Sequence, residues 1–154
     1  MKVSRVCQTP IGMLTLVEDD GALCEVRFGS CTQGTSPGDT PLLLQAEREL
    51  NEYFTAGRRE FTVPFKPKGT PFQLRCLQAL CAIPYGEVRT YGWQAAQAGS
   101  PRACRAAGMS NHKNPLPIFI PCHRVVGADG KLTGYAGGIG IKQKLLDIER
   151  MNRS

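Results

Sequence analysis

No apolar run in this sequence approaches the ~20 residues needed to span a bilayer, so a membrane role is unsupported. Neither G-x-G-x-x-G nor G-x-x-x-x-G-K-[ST] occurs, which removes the usual glycine-rich nucleotide loops. No internal repeat or low-complexity tract is present. Histidine is scarce, with only His112 and His123, so any general base of that type has two candidates. Cysteine is plentiful at seven, but the number is odd, no pair is spaced C-x-x-C and no secretory segment precedes them. Reduced thiols in a cytosolic protein are therefore expected rather than disulfides. Cys24 is in phase with Ala22, Val26 and Phe28, and Cys76 with Phe72, Leu80 and Ile83. Both read as packing residues, with the same default for Cys7, Cys31, Cys81 and Cys104, because a free cysteine behaves as a small hydrophobe.

The net charge of +6 is unevenly held. Residues 1 to 65 contain six Lys/Arg against nine Asp/Glu, and residues 66 to 154 contain thirteen against four. Any surface for a polyanion should thus belong to the C-terminal part. A length of 154 residues suits one domain or two small lobes.

Ile11 to Val17, a turn at Asp19-Asp20-Gly21 and Ala22 to Phe28 read as an antiparallel hairpin. Gly29 to Asp39 has loop composition, and Leu43, Ala46, Leu50, Tyr53 and Phe54 form an apolar stripe at helical period. Pro64, Pro67, Gly69 and Pro71 mark a linker, with a boundary near residues 57 to 70. The expectation is an α+β protein: a small N-terminal β-sheet and helix lobe over 1–65 that acts as scaffold, and a mainly helical C-terminal lobe over 66–154.

In that second lobe Thr70-Pro71 caps a helix running to about Ala82, and Ile83-Pro84-Tyr85-Gly86 ends it. Thr90 caps a short helix through Ala98, Gly99 stops it, and Ser100-Pro101 starts another through about Met109. That is the outline of a helix-turn-helix, with Arg102 and Arg105 on adjacent turns of the second helix. Pro115 to Pro121 is too proline-rich for a helix and too apolar for a surface loop, and reads as buried extended chain leading to Cys122. Val125-Val126 and Gly127 to Gly130 read as strand and turn. Glycines at 134, 137, 138 and 140 surround Tyr135 and Ala136 and permit close approach of a ligand. A closing helix from about Ile141 to Arg150 buries Ile141, Leu145 and Ile148, with Glu149 at the edge of that stripe needing a partner.

A cysteine is a strong nucleophile only as thiolate, which demands a base or positive charge nearby. His123 and Arg124 follow Cys122 directly. Adjacent side chains in extended chain point to opposite faces, so a water can relay the proton to His123, with Glu149 orienting the imidazole. For a Cys-His dipeptide alone, a buried thiol beside a surface histidine is the commoner explanation.

The ordered motifs go further. N-P-L-P-I-F-I-P-C-H-R-V-V at Asn114 to Val126, G-Y-A-G-G at Gly134 to Gly138 and K-x-x-L-L-x-x-E at Lys142 to Glu149 resemble the O6-alkylguanine-DNA alkyltransferase family. The likeness reaches back through Thr70-Pro71-Phe72-Gln73, Ile83 to Gly86 and Tyr91 to Arg105, while the first lobe matches in length and order only. This resemblance implies single-use transfer of an alkyl group from the exocyclic oxygen of guanine in double-stranded DNA to Cys122, without metal or organic cofactor. By the same resemblance His123 acts as base through water, Glu149 orients it, Asn114 fixes the local backbone and Tyr91 gives a proton to the departing guanine. Arg105 fills the gap left by the extruded base. The second helix, with Arg102, Ala103 and Ala106, enters the minor groove, with Arg124 as a further DNA contact, and Tyr135, Ala136 and Gly137 line the pocket. A monomer that can cluster on DNA is implied, in the cytoplasm, on the nucleoid, or in a eukaryotic nucleus. Some members hold a structural zinc in the first lobe, but no set of four ligands is spaced for it here. Ala136 stands where some relatives have serine. Rival readings are a non-catalytic damage-binding protein of the same fold, a cysteine hydrolase using Cys122 and His123, and a simple helix-turn-helix regulator.

Overall fold

The computed structural model describes residues 1–152, which divide into two compact units at Pro67/Lys68. The first unit is a four-stranded sheet with one helix. Strands β1 (Val3–Thr9), β2 (Gly12–Asp19) and β3 (Ala22–Phe28) form an antiparallel meander, and the short β4 (Ser36–Pro37) pairs parallel to β1, giving the order β3-β2-β1-β4. The β2–β3 turn is Asp20-Gly21, with φ of 55° and 78°. Both residues sit in the left-handed region that a two-residue hairpin with right-twisted strands requires. Thr40 caps α1 (Pro41–Ala56) by accepting from the Leu43 amide, and Gly57 closes it at φ 71°. The expected Leu43, Ala46, Leu50, Tyr53 and Phe54 are all buried, packed with Leu14, Leu16, Leu23 and Val26 of the sheet.

Cys24 departs from its expected phase. Glu18 pairs with Leu23 and Val17 with Glu25, so Cys24 is the extra residue of a β-bulge, and the buried face shifts to Leu23 and Val26. Cys31, Cys81 and Cys104 are exposed rather than packed, while Cys7 and Cys76 are buried as expected. None of the seven cysteines forms a disulfide.

In the second unit, Thr70 caps α2 (Pro71–Cys81) and Thr90 caps α3 (Tyr91–Gln97), each accepting from the amide three residues on. Gly99, at φ 85°, turns the chain toward α4 (Cys104–His112). That helix starts later than expected: the Ala103 amide bonds the Ser100 carbonyl, so Pro101 opens a turn instead of a helix. Cys76, Ala95, Ala98 and Ala107 let α2, α3 and α4 approach closely, with Phe72 against them. Between α3 and α4, the buried amides of Gln94 and Asn111 exchange bonds of 2.7 and 2.8 Å, fixing the helix-turn-helix angle.

Residues 116–121 are buried, but the segment is not extended. The Ile120 amide returns to the Leu116 carbonyl at 2.8 Å and Ile118 takes φ 76°, a value rare for a β-branched residue. A 3-10 turn (Cys122–Arg124) follows, then β6 (Val125–Val126) pairs parallel with β5 (Arg89–Thr90). This two-rung ladder places the start of α3 beside the chain leaving Cys122. Helix α5 (Ile139–Met151) is rotated from the expected stripe: its buried residues are Lys142, Leu145, Leu146 and Glu149, with Ile141 and Ile148 half-buried. Glu149 therefore lies in the centre of the inward face, not at its edge.

Candidate active site

The tight loop before Cys122 is clasped by one side chain. Asn114 Nδ2 donates to the Ile120 carbonyl at 2.9 Å, and its Oδ1 accepts from the Leu116 amide at 3.0 Å. The loop sets down Cys122 as the first residue of the 3-10 turn, 5% exposed, so the side chains of Cys122, His123 and Arg124 fan out from one turn instead of alternating.

His123 and Arg124 both turn inward onto Glu149. The His123 Nε2 lies 2.6 Å from Glu149 Oε2, and Arg124 donates Nε to Oε1 at 2.8 Å and Nη2 to Oε2 at 3.1 Å. The Gly86 amide adds a contact of 3.3 Å. Burial alone would raise the Glu149 carboxyl, but the hydrogen bonds of His123 and Arg124 and the Arg124 charge outweigh it and hold it well below the usual carboxylate range. The carboxylate is thus ionised, and His123 Nε2 must carry the proton that bonds to it. That leaves Nδ1 as the basic nitrogen, which is buried and has no hydrogen-bond partner among the described residues. Burial also depresses the imidazolium despite Glu149, so His123 rests neutral and able to accept a proton.

Burial pushes the Cys122 thiol up to about 11, with Asn114 and the Lys142 charge opposing. Lys142 is 1% exposed, and burial lowers its ammonium while Cys122 favours it. Its Nζ donates to the Thr133 carbonyl at 3.3 Å and lies 6.0 Å from the centre of the Tyr91 ring. The Tyr91 hydroxyl is 2.5 Å from Thr133 Oγ1. Tyr135 is also buried, and burial, Cys122 and Glu149 raise its phenol well above the ordinary value. An open groove of about 390 Å³ adjoins these groups, lined by Tyr91, Arg105, Met109, His112 and Thr133 among others. At resting protonation the arrangement holds a thiol, a neutral imidazole and a buried cation, with a phenol at the groove.

Most residues expected from sequence are brought together here: Cys122, His123, Glu149, Asn114, Tyr91 and Tyr135, with Arg105 exposed on the groove. Arg124 is a correction. It was expected at a DNA surface, but it is 7% exposed and fully engaged with Glu149 and, through Nη1 at 2.7 Å, the Ile83 carbonyl. Arg102 and Ala103 line a separate recess with Ser100 and Pro101, Ala106 and Ala136 are exposed, and Gly137 is half-buried. Lys142 and Thr133 went unassigned by sequence reasoning. The signal for Lys142 was its spacing of seven from Glu149, two helical turns along one face. Among the described residues no group of His, Cys, Asp or Glu is placed to hold a metal ion.

The family model described as 6-O-methylguanine DNA methyltransferase, DNA binding domain, matches residues 71–151, and its companion, the ribonuclease-like domain, matches residues 2–67. The chain belongs to the 6-O-methylguanine DNA methyltransferase family. Among similar members is the constitutive methylated-DNA--protein-cysteine methyltransferase of Bacillus subtilis (strain 168), 44% identical over 161 residues that cover 99% of this chain and 98% of the relative. A second, from Mycobacterium tuberculosis, is 45% identical over 150 residues, covering 95% and 91%. The solved structure of the Mycobacterium tuberculosis family member OGT in complex with DNA matches with a TM-score of 0.90 at 43% identity, covering 97% of this chain and 94% of that one. The α+β fold with two lobes, read from the sequence, is the fold this family member shares.

Proposed function

We propose that this chain repairs double-stranded DNA by moving a methyl or other alkyl group from O6 of guanine onto Cys122, once per molecule. The observation that carries the reading is the buried His123 held on the ionised Glu149 and directly following the buried Cys122, in a chain whose relatives are methylated-DNA--protein-cysteine methyltransferases. His123 Nδ1 takes the thiol proton through a water, since the imidazole rests neutral with that nitrogen free to accept. The sulfur forms the S–C bond as the C–O6 bond breaks, and the electron pair stays on the guanine oxygen. Tyr91 passes a proton to a ring nitrogen, so the base leaves neutral. Lys142 lies close enough for its charge to favour the thiolate as it forms.

Residues 66–154 form the DNA-binding and transfer lobe and residues 1–65 the scaffold. Helix α4 enters the minor groove with Ala106, and the turn before it brings Arg102 and Ala103 toward DNA, while Arg105 takes the place of the extruded guanine. Tyr135, Ala136 and Gly137 shape the pocket for the base. The protein acts as a monomer that can cluster along DNA, wherever the genome is housed. No described helix is long and apolar enough to cross a membrane.

The test is to incubate the protein with duplex DNA bearing O6-methylguanine and to measure intact and peptide masses. One added methyl, confined to the peptide of Cys122, is expected. An unmodified Cys122 with tight binding to the lesion would make the protein a damage binder instead.

A further inference from the structure

Thr133 lies between β6 and α5, half-buried on the wall of the groove that also exposes Tyr91. It touches the site twice. Its hydroxyl is 2.5 Å from the Tyr91 hydroxyl, and its carbonyl accepts from Lys142 Nζ at 3.3 Å. Lys142 is itself almost wholly buried on α5, so the Thr133 backbone is held from behind by a rigid element. The Tyr91 ring also lies near α4, where a Cβ at Gly108 would stand 3.7 Å from it.

A phenol has one proton and can swing it about the C–O bond. If that proton is directed at a base in the groove, the phenol oxygen can only accept from Thr133, whose hydroxyl has one proton to give. On the reading of the site given above, we propose that Thr133 is a positioning residue for alkyl transfer: its hydroxyl aims the Tyr91 proton at the leaving guanine and donates to the phenol oxygen as that proton departs. The gain is concentrated in the transition state. A hydrogen bond to an oxygen gaining negative charge is roughly twice as strong as one to a neutral oxygen. The Lys142 ammonium, 6.0 Å from the ring centre, adds a favourable field at the same moment. The step balances: the thiol proton resides on His123, the phenol proton on the guanine ring nitrogen, and exchange with solvent afterwards returns His123 to neutral and Tyr91 to phenol.

The experiment is single-turnover transfer from O6-methylguanine duplex, with DNA affinity and melting temperature measured in parallel, for the unaltered protein, Thr133→Val, Thr133→Ser, Tyr91→Phe and the double variant Tyr91→Phe/Thr133→Val. Thr133→Val should slow transfer roughly tenfold, the size expected from losing one hydrogen bond to a charged acceptor. Thr133→Ser should restore most of the rate, and DNA affinity should stay near that of the unaltered protein. In the Tyr91→Phe background, Thr133→Val should slow transfer no further, because the hydroxyl then has no phenol to serve. Equal slowing by Thr133→Val in both backgrounds would overturn the proposal and leave Thr133 as a wall of the groove. If Tyr91→Phe transfers as fast as the unaltered protein, the proposal fails while Cys122 stands as acceptor. If the unaltered protein transfers nothing, the reading of the site and this proposal fall together.

Discussion

A buried imidazole held on an ionised carboxylate has a protonation state set by competition. Glu149 favours the imidazolium, whereas desolvation and the charges of Arg124 and Lys142 oppose it, and the opposition wins. The folded value therefore lies below the ordinary 6.5, and His123 stays a competent base at neutral pH. The single-turnover rate should hold level as pH falls from 7.5 through 6.5 and decline only below that. Stability follows the same sign. Below pH 6.5 an unfolded chain would bind a proton that folded His123 refuses, so stability is lost as pH falls toward the depressed value. Glu149 adds a second loss below its ordinary 4.5, since its depressed carboxyl contributes only while ionised. At the alkaline end, a thiol raised to about 11 gives solvent hydroxide little to remove before pH 9. A rate climbing tenfold per unit between pH 7 and 9 would mean that hydroxide, not His123, takes the thiol proton.

At the scale of elements, two glycines separate backbone need from packing need. Gly99 holds φ 85° in open space, so an added Cβ meets no atom but the backbone is strained. Gly108 is helical, and its Cβ would lie in ordinary contact with Tyr91. Gly99→Ala should lower stability by about 1 kcal/mol, and Gly108→Ala should raise it by up to about 1 kcal/mol through helix propensity. Chemical denaturation of both variants checks this, and losses of equal size would refute it. Such punctuation is what a sequence displays well: Asp20-Gly21, the capping threonines at 40, 70 and 90, and Gly99 all sit where local chemistry places them. What depends on distant partners is less legible. Strand β1, with Ser4, Arg5 and Gln8 among few apolar residues, exists because β2 and β4 pair with it. Pro101 suits a first helical turn, yet the bond from Ala103 to Ser100 takes the chain into a turn first. The left-handed Ile118 is imposed by the Asn114 clasp. The rotation of α5 came from assuming that charges face water, whereas Lys142 and Glu149 face in because Arg124, His123 and the Thr133 carbonyl satisfy them. Arg124, expected as a DNA contact, turns inward because Glu149 satisfies it. The motif around Cys122 and the pairing of His123 with Glu149 were legible as an order of residues, but the arrival of Arg124 and the Gly86 amide on the same carboxylate was not.

For the whole molecule, charge decides where the polyanion goes. The positive excess belongs to residues 66–154, and residues 1–65 are net acidic, so the first unit should contribute little to the electrostatics of DNA binding. Part of the basic excess is spent inside: Arg124 and Lys142 are buried against Glu149 and Thr133, and cannot neutralise phosphates. Exposed Arg102 at the approach to α4 can. A protein cation that displaces a counterion from duplex DNA steepens the fall of log affinity with log salt by about 0.9. Affinity for undamaged duplex, measured by fluorescence anisotropy from about 50 to 200 mM salt, should thus give a straight line whose slope is reduced by about 0.9 in Arg102→Ala. Lys2→Ala, which removes an exposed cation from the first unit, should leave the slope unchanged. If both substitutions flatten the line equally, binding follows net charge alone, and α4 is not the element that meets the phosphates.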